Sequence, residues 1–105
     1  MSVFKAMLNV CNLSIADGAE FLGLSASLVK QYSAGNRTPP DSVFAALAAL
    51  YDQICEVSEH CFERDEITPE GVQAIAIHEH GSPLPKPALD AVAAMFILTR
   101  MMDDE

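Results

Sequence analysis

Two histidines in the second half of this 105-residue sequence have the chemistry of metal ligands. His78 and His80 flank Glu79, and alternate residues of a β-strand point to the same face. Such a pair lacks a third ligand, whereas zinc sites in proteins take three or four. We therefore expect no metal site and no cofactor.

The cysteines are Cys11, Cys55 and Cys61, and their spacing fits neither a zinc site nor a disulfide. No Cys-x-x-Cys pair occurs, and residues six apart lie on different faces of a helix. An odd number is typical of reduced thiols in a reducing compartment. The chain also lacks a glycine-rich phosphate loop and a plausible nucleophile. We therefore expect that the protein is not an enzyme.

Charge is distributed unevenly along the chain, whose formal net charge is −9. Residues 1–40 hold three basic and two acidic side chains, a net +1, whereas residues 41–105 hold three basic and thirteen acidic ones, a net −10. An acidic body is repelled by phosphate, which weakens non-specific binding to nucleic acid. The charged run at residues 63–66 and the acidic end at 103–105 are expected to be solvated.

No apolar run is long enough to span a bilayer and the N-terminus lacks a signal-peptide layout, so we expect a cytoplasmic protein with no membrane partner.

Capping residues, glycines and prolines divide the first forty residues into three short helices. Serine is a favoured N-cap, glycine ends helices in the left-handed conformation, and proline stops a helix. We predict helices from residue 2 to about 11, from 15 to 22 and from 26 to about 34. Their boundaries are set by Ser14, Gly23, Ser25, Gly35, Pro39 and Pro40.

Two longer helices are predicted in the remainder. Asp41 caps one that runs to about Phe62, with apolar residues at alternating steps of four and three. The last helix runs from Pro87 to about Met102 and is apolar nearly all round. A chain this small cannot cover such a helix, so we expect it to pack against a second copy. The residues expected at this homodimer interface are Leu89, Val92, Met95, Phe96, Leu98 and Met102.

The segment between these two helices admits two interpretations. Thr68-Pro69-Glu70 resembles a helix start, with a cap followed by proline at the first position. Residues 72–78 form a β-branched run of strand length, bracketed by Gly71 and by Gly81-Ser82-Pro83. We favour a short strand over residues 71–78, with a helix as the alternative.

The most specific pattern in the chain is LSIADGAEFLGLSASLVKQYSAGNRTPP, residues 13–40. It resembles the helix-turn-helix of the λ-repressor/Cro-like (XRE) regulators, in which a capping serine, a helix with a central alanine, a Leu-Gly turn, a second cap and a Gly-x-Arg-x-Pro loop follow in this order. Ala19 is small enough for the two helices to cross closely, and Gly23 supplies the turn.

Two positions depart from the family pattern. Gly18 stands where a larger apolar residue is usual, and Ile15 where a phosphate-contacting glutamine is common.

The resemblance implies a mainly α fold: a λ-repressor-like helix-turn-helix bundle, then a long helix and a C-terminal dimerisation extension. Whether that extension holds one short strand depends on which interpretation of residues 71–78 applies. We place the DNA-binding domain at residues 1–62 and the dimerisation extension at residues 63–105.

The resemblance also implies which side chains contact DNA. The start of the third helix enters the major groove, where an amide binds adenine and an ammonium group binds guanine or phosphate. The residues expected to contact bases are Ala26, Ser27, Lys30 and Gln31. The residues expected to contact the sugar-phosphate backbone are Ser14, Ser25, Asn36, Arg37 and Thr38.

As a function, the resemblance implies a sequence-specific transcriptional regulator that binds an inverted repeat in double-stranded DNA as a homodimer. It further implies repression, including of the regulator's own operon, and the layout is similar to that of the autorepressors of phage-related anti-CRISPR operons. The alternative is a helix-turn-helix protein-interaction module, such as an antitoxin or antirepressor, whose acidic half mimics nucleic acid. The net charge of −9 and the small Ala26 on the base-contacting face favour this alternative.

Overall fold

The computed structural model describes residues 2–65 and 67–103, which form six α-helices and no strand. The mainly α class predicted from the sequence is confirmed. None of the helices in these ranges is both long and apolar enough to cross a membrane. The predicted solvated segments extend to Glu66, Asp104 and Glu105, which lie outside the described residues. The helices are α1 (Val3–Val10), α2 (Ile15–Leu22), α3 (Ala26–Ala34), α4 (Asp41–Arg64), α5 (Pro69–His80) and α6 (Lys86–Asp103).

The chain divides into two compact units, Met1–Tyr51 (unit 1) and Asp52–Glu105 (unit 2). The boundary falls within α4, whereas the sequence predicts a boundary at residue 62, near the end of the same helix. Unit 1 contains α1, α2, α3 and the first part of α4. Unit 2 contains the rest of α4 together with α5 and α6.

In unit 1, α2 and α3 begin and end at the residues predicted from the sequence. The Ser14 hydroxyl accepts a hydrogen bond from the Asp17 N–H at 3.1 Å, while the Asp17 carboxylate accepts from the Ser14 N–H at 3.2 Å. This reciprocal capping box satisfies two N–H groups that a helix start leaves unpaired. Gly23 and Gly35 end α2 and α3 with φ of 68° and 81°, a conformation that glycine adopts without steric cost. The turn between the two helices is thus fixed by backbone geometry.

Two apolar contacts hold α1 against α2 and α3. The Phe4 ring meets the Tyr32 ring edge-on, with centroids 5.5 Å apart. Leu8 is buried and lies so close to α2 that a Cβ at Gly18 would be 2.9 Å from Leu8 Cδ2. Gly18, which departs from the family pattern, therefore lets α1 and α2 approach closely in this protein.

In unit 2, the strand favoured for residues 71–78 is wrong, because these residues lie in α5. Thr68 is the N-cap, and its hydroxyl accepts a hydrogen bond from the Gly71 N–H at 3.1 Å. Pro69 occupies the first helical position, where its missing N–H costs nothing. The local start motif thus outweighs the strand preference of the residues that follow.

The burial pattern of α5 explains why a helix forms there. Val72, Ile75 and Ala76 are buried, at the spacing of one helix face, while Ile77 is 50% exposed. A half-buried strand would instead bury alternate residues. Strand propensity amounts to a modest preference that packing overrides, and the β-branched residues of α5 are mostly placed on its buried side.

Polar contacts hold α6 near both of its ends. The Gln73 amide donates to the Leu84 carbonyl at 2.9 Å and accepts from the Leu84 N–H at 2.8 Å, which pins the loop before α6 to α5. Towards the other end, Arg100 forms an ion pair with Asp65. The guanidinium carbon of Arg100 also lies 5.3 Å from the centroid of the Phe96 ring.

Candidate nucleic-acid interface

Helix α3 has one buried side and one exposed side. Val29 and Tyr32 are 0% and 8% exposed, and the Tyr32 carbonyl accepts a hydrogen bond from the Ser2 hydroxyl at 3.1 Å. These contacts fix α3 from behind. The four residues predicted to contact bases lie elsewhere on its surface: Ala26, Ser27 and Lys30 are exposed, and Gln31 is half-buried. Their side chains are accessible to a partner molecule.

The two serines predicted to contact the DNA backbone are the N-caps of α2 and α3. The Ser25 hydroxyl oxygen accepts a hydrogen bond from the Leu28 N–H at 3.1 Å, as the Ser14 oxygen does within α2. Each hydroxyl keeps its own hydrogen, which can be donated to a phosphate oxygen. The Asp17 carboxylate places negative charge at the start of α2, whereas the first turn of α3 holds no acidic residue. The start of α3 is therefore the better of the two for an anion.

The loop after α3 is anchored at both ends. Gly35 turns the chain out of the helix, and the N–H of the next residue returns to the Gln31 carbonyl at 3.0 Å. Pro39 is buried at the far end. The backbone contacts predicted for this loop fall on exposed side chains, those of Asn36, Arg37 and Thr38.

A surface depression of about 250 Å³ lies where α1, the start of α2 and the end of α3 meet. It is lined by Lys5 and Lys30, two of the three basic residues in the sequence of unit 1, and by Ser14. Ser33 also lines it, and its buried hydroxyl oxygen has no hydrogen-bond partner among the described residues. The positive charge of the two lysines in this lining suits an anion such as a phosphate group.

Lys5 and Ser33 are not among the site residues predicted from the sequence. They meet Lys30 only because α1 folds against α3, and no local motif connects them. The one available indication is that Lys5 and Asn9 lie one turn apart on α1, which places both on the same side of that helix. Asn9 also lines the depression.

The residues predicted at the homodimer interface differ in how much surface they offer. They comprise buried Val92 and Phe96, half-buried Leu89 and Met95, and exposed Leu98 and Met102. Val92 and Phe96 are 0% and 6% exposed within one chain, so they leave almost no surface for a partner. Only the last turns of α6 fit the expectation that a small chain leaves this helix uncovered.

Two histidines of unit 2, His60 and His80, lie beside carboxylates. His80 Nε2 is 3.1 Å from a carboxylate oxygen of Glu56, and His60 Nε2 is 3.6 Å from one of Glu79. Because α5 is helical, His78 and His80 do not share a face as they would in a strand. Within the part of the chain that the structure describes, no group of three or more histidine, cysteine or acidic residues is placed to hold a metal ion.

Comparisons of the chain with protein-family models, with curated proteins and with solved structures gave no match.

Proposed function

We propose that the protein is a sequence-specific transcriptional regulator that binds an inverted repeat in double-stranded DNA as a homodimer. Unit 1 binds DNA and unit 2 contributes to the dimer contact, in the manner of the λ-repressor/Cro-like regulators that residues 13–40 resemble. The observation that carries this proposal is the exposed side of α3, which buried Val29 and Tyr32 support from behind.

The exposed side of α3 offers the hydrogen-bonding groups that base edges require. The Gln31 amide can bind adenine through N6 and N7, and Lys30 can donate either to guanine O6 and N7 or to a phosphate group. Ser27 can bond to a base or to a phosphate, and Ala26 presents a methyl group to thymine. The glycine turn and the Ser25 cap fix the helix start, so these groups are held in place before DNA binds.

Phosphate contacts would set the position of unit 1 on the duplex. The depression lined by Lys5, Lys30 and Ser33 can take one phosphate group, and Arg37 in the exposed loop can bind another. Two phosphate groups per copy give about four phosphate contacts per dimer, hence a slope of about −4 for the logarithm of the binding constant against that of salt concentration. Repression by occupation of a promoter follows from the family resemblance.

The acidic charge supports a second candidate, a protein-interaction module such as an antitoxin or antirepressor. Residues 41–105 carry a net charge of −10, which would attract a basic partner protein and mimic nucleic acid. In that case α3 would be a structural element, and substitutions on its exposed side would leave the activity unchanged.

The two candidates are separated by selecting binding sites from a random pool of double-stranded DNA. Fluorescence anisotropy then measures binding of the full chain to the selected site and to a scrambled one. Gln31→Ala should weaken binding to the selected site by about 1–3 kcal/mol and relax the preference at one base pair. Arg37→Ala should weaken binding to both sites equally and reduce the salt slope by about 1 for each copy bound.

Lys86→Ala is the matched control for Lys30→Ala, because it removes the same charge from an exposed lysine on α6. Lys30→Ala should weaken binding and the control should not. If no DNA sequence is enriched, or if Gln31→Ala and Lys30→Ala both bind DNA like the unsubstituted protein, the regulator is ruled out in favour of the interaction module.

A further inference from the structure

Unit 1 has an apolar groove on its surface. The groove has a volume of about 440 Å³ and runs between α1 and α4. Its central lining residues are Val3, Met7, Val10, Leu47, Ala48 and Tyr51. Val3 and Val10 are 66% and 55% exposed, and no lining residue is charged. We call this surface the α1–α4 groove.

Unit 2 has an apolar ridge on the last turns of α6. Its residues are 54–75% exposed, and they are Ile97, Leu98, Met101 and Met102. They lie on two consecutive turns, at the spacing by which a helix enters a groove. We call this surface the α6 ridge.

We propose that the α6 ridge of one copy docks in the α1–α4 groove of a second copy, and that the exchange is reciprocal. Two such contacts close a dimer with two-fold symmetry, whereas a one-way contact would build an open chain. This inference rests on the homodimer of the proposed function and names the surfaces that form it. Each copy thereby supplies both the groove and the ridge.

Charge favours a second copy as the occupant of the groove. Each copy carries a net charge of −9, so two copies approach most easily through faces without carboxylates. The groove has no charged lining residue, and Arg100 is the only charged residue in the sequence from 91 to 102. Arg100 is already paired with Asp65. The side chains that form the two surfaces can therefore meet without a carboxylate among them.

The exposed area also fits a reciprocal dimer. The ridge residues, together with the exposed Val3, Val10 and Tyr51 of the groove, each present roughly 100 Å² of apolar surface. One contact would cover on the order of 800 Å² and two contacts about 1,600 Å², the size of a standard stable interface. Pairing of α6 with α6 of another copy would cover the ridge alone and leave the groove open to water.

The test measures the mass of the full chain by sedimentation equilibrium, without DNA. Val10→Glu changes the groove and Ile97→Lys changes the ridge. Ile77→Lys is the matched control, because Ile77 is 50% exposed on α5 and belongs to neither surface. We expect the unsubstituted chain and the control to be dimers, and each of the other two variants to raise the dimer dissociation constant at least about tenfold.

An equimolar mixture of Val10→Glu and Ile97→Lys should recover the dimer. One contact in the mixed dimer is unchanged, and the other pairs the introduced carboxylate with the introduced ammonium group. Unfolding curves followed by circular dichroism establish that each variant is folded, and Leu98→Lys replaces Ile97→Lys if the latter is not.

Three results would overturn the docking: a monomeric unsubstituted chain, a Val10→Glu variant that remains fully dimeric, or a mixture that stays monomeric. Dimerisation that resists Val10→Glu but not Ile97→Lys would indicate α6–α6 pairing and would leave the proposed function standing. Conversely, a chain that dimerises as described but selects no DNA would refute the proposed function alone.

Discussion

Replacing Gly18 with alanine tests how closely α1 and α2 pack. In a typical helix interior this change stabilises a protein by about 1 kcal/mol, because alanine has the higher helix propensity. Here the new Cβ would lie 2.9 Å from Cδ2 of Leu8, a side chain that is only 2% exposed. Displacing a packed core side chain costs about 1–3 kcal/mol. We therefore expect a net loss of about 1 kcal/mol.

The sign should reverse when the obstacle is removed. Leu8→Ala alone should cost about 2–5 kcal/mol. In that background, Gly18→Ala should gain about 1 kcal/mol, since its methyl group meets empty space and helix propensity then dominates. The coupling between the two substitutions should therefore be about 2 kcal/mol, within the range found for residues in direct contact.

Urea unfolding followed by circular dichroism gives the free energies through linear extrapolation. Ala45→Gly calibrates helix propensity within unit 1, because Ala45 is exposed inside α4 and should cost about 1 kcal/mol when replaced. The reasoning fails if Gly18→Ala stabilises the otherwise unchanged protein by as much as Ala45→Gly destabilises it. Leu8 would then move aside at no cost in the free energy of unfolding, and the close packing of α1 against α2 would not affect stability.

Three other measurements address the cap, the ion pair and the salt dependence. Ser14→Ala should lower the free energy of unfolding by about 1 kcal/mol through loss of the α2 cap, and an unchanged urea midpoint would contradict the capping geometry. Arg100→Ala should cost about 1 kcal/mol, because it removes a partly exposed ion pair with Asp65 and the stacking on Phe96. If Arg100→Ala causes no loss of stability in a protein that already carries Asp65→Ala, the stacking on Phe96 contributes nothing. For the dimer on its selected DNA site, a log–log salt slope steeper than about −8 would be incompatible with so few basic residues.

Helices α2 and α3 were predictable from the sequence because each of their ends is determined locally. Ser25 caps α3 with its own hydroxyl and Gly35 ends it at a positive φ. Both ends of the helix are therefore determined by residues that are close in sequence. Helix α5 was not predictable from the sequence, because the spacing of its apolar residues fits both a helix and a strand. The start at Thr68 indicates a helix and the β-branched run indicates a strand, and the burial of Ile75 beside Ala76 decides between them.

The parts of the site that are formed by residues distant in sequence could not be predicted from the sequence. Lys5 joins Lys30 in one depression only when α1 folds against α3. Likewise, an apolar residue such as Val92 can serve a core or an interface, and its sequence pattern is the same in both cases. Its complete burial is a property of packing in three dimensions.

The nine-residue α3 separates buried from exposed side chains within about two and a half helical turns. Val29 and Tyr32 anchor it, while Ala26, Ser27 and Lys30 contribute nothing to the core and can be exchanged at a cost of no more than about 0.5 kcal/mol each. A combinatorial library that omits glycine and proline at those outward positions should thus consist almost wholly of folded proteins. Under the proposed DNA-binding function, new sequence specificities can therefore arise by neutral substitution, without compensating changes elsewhere.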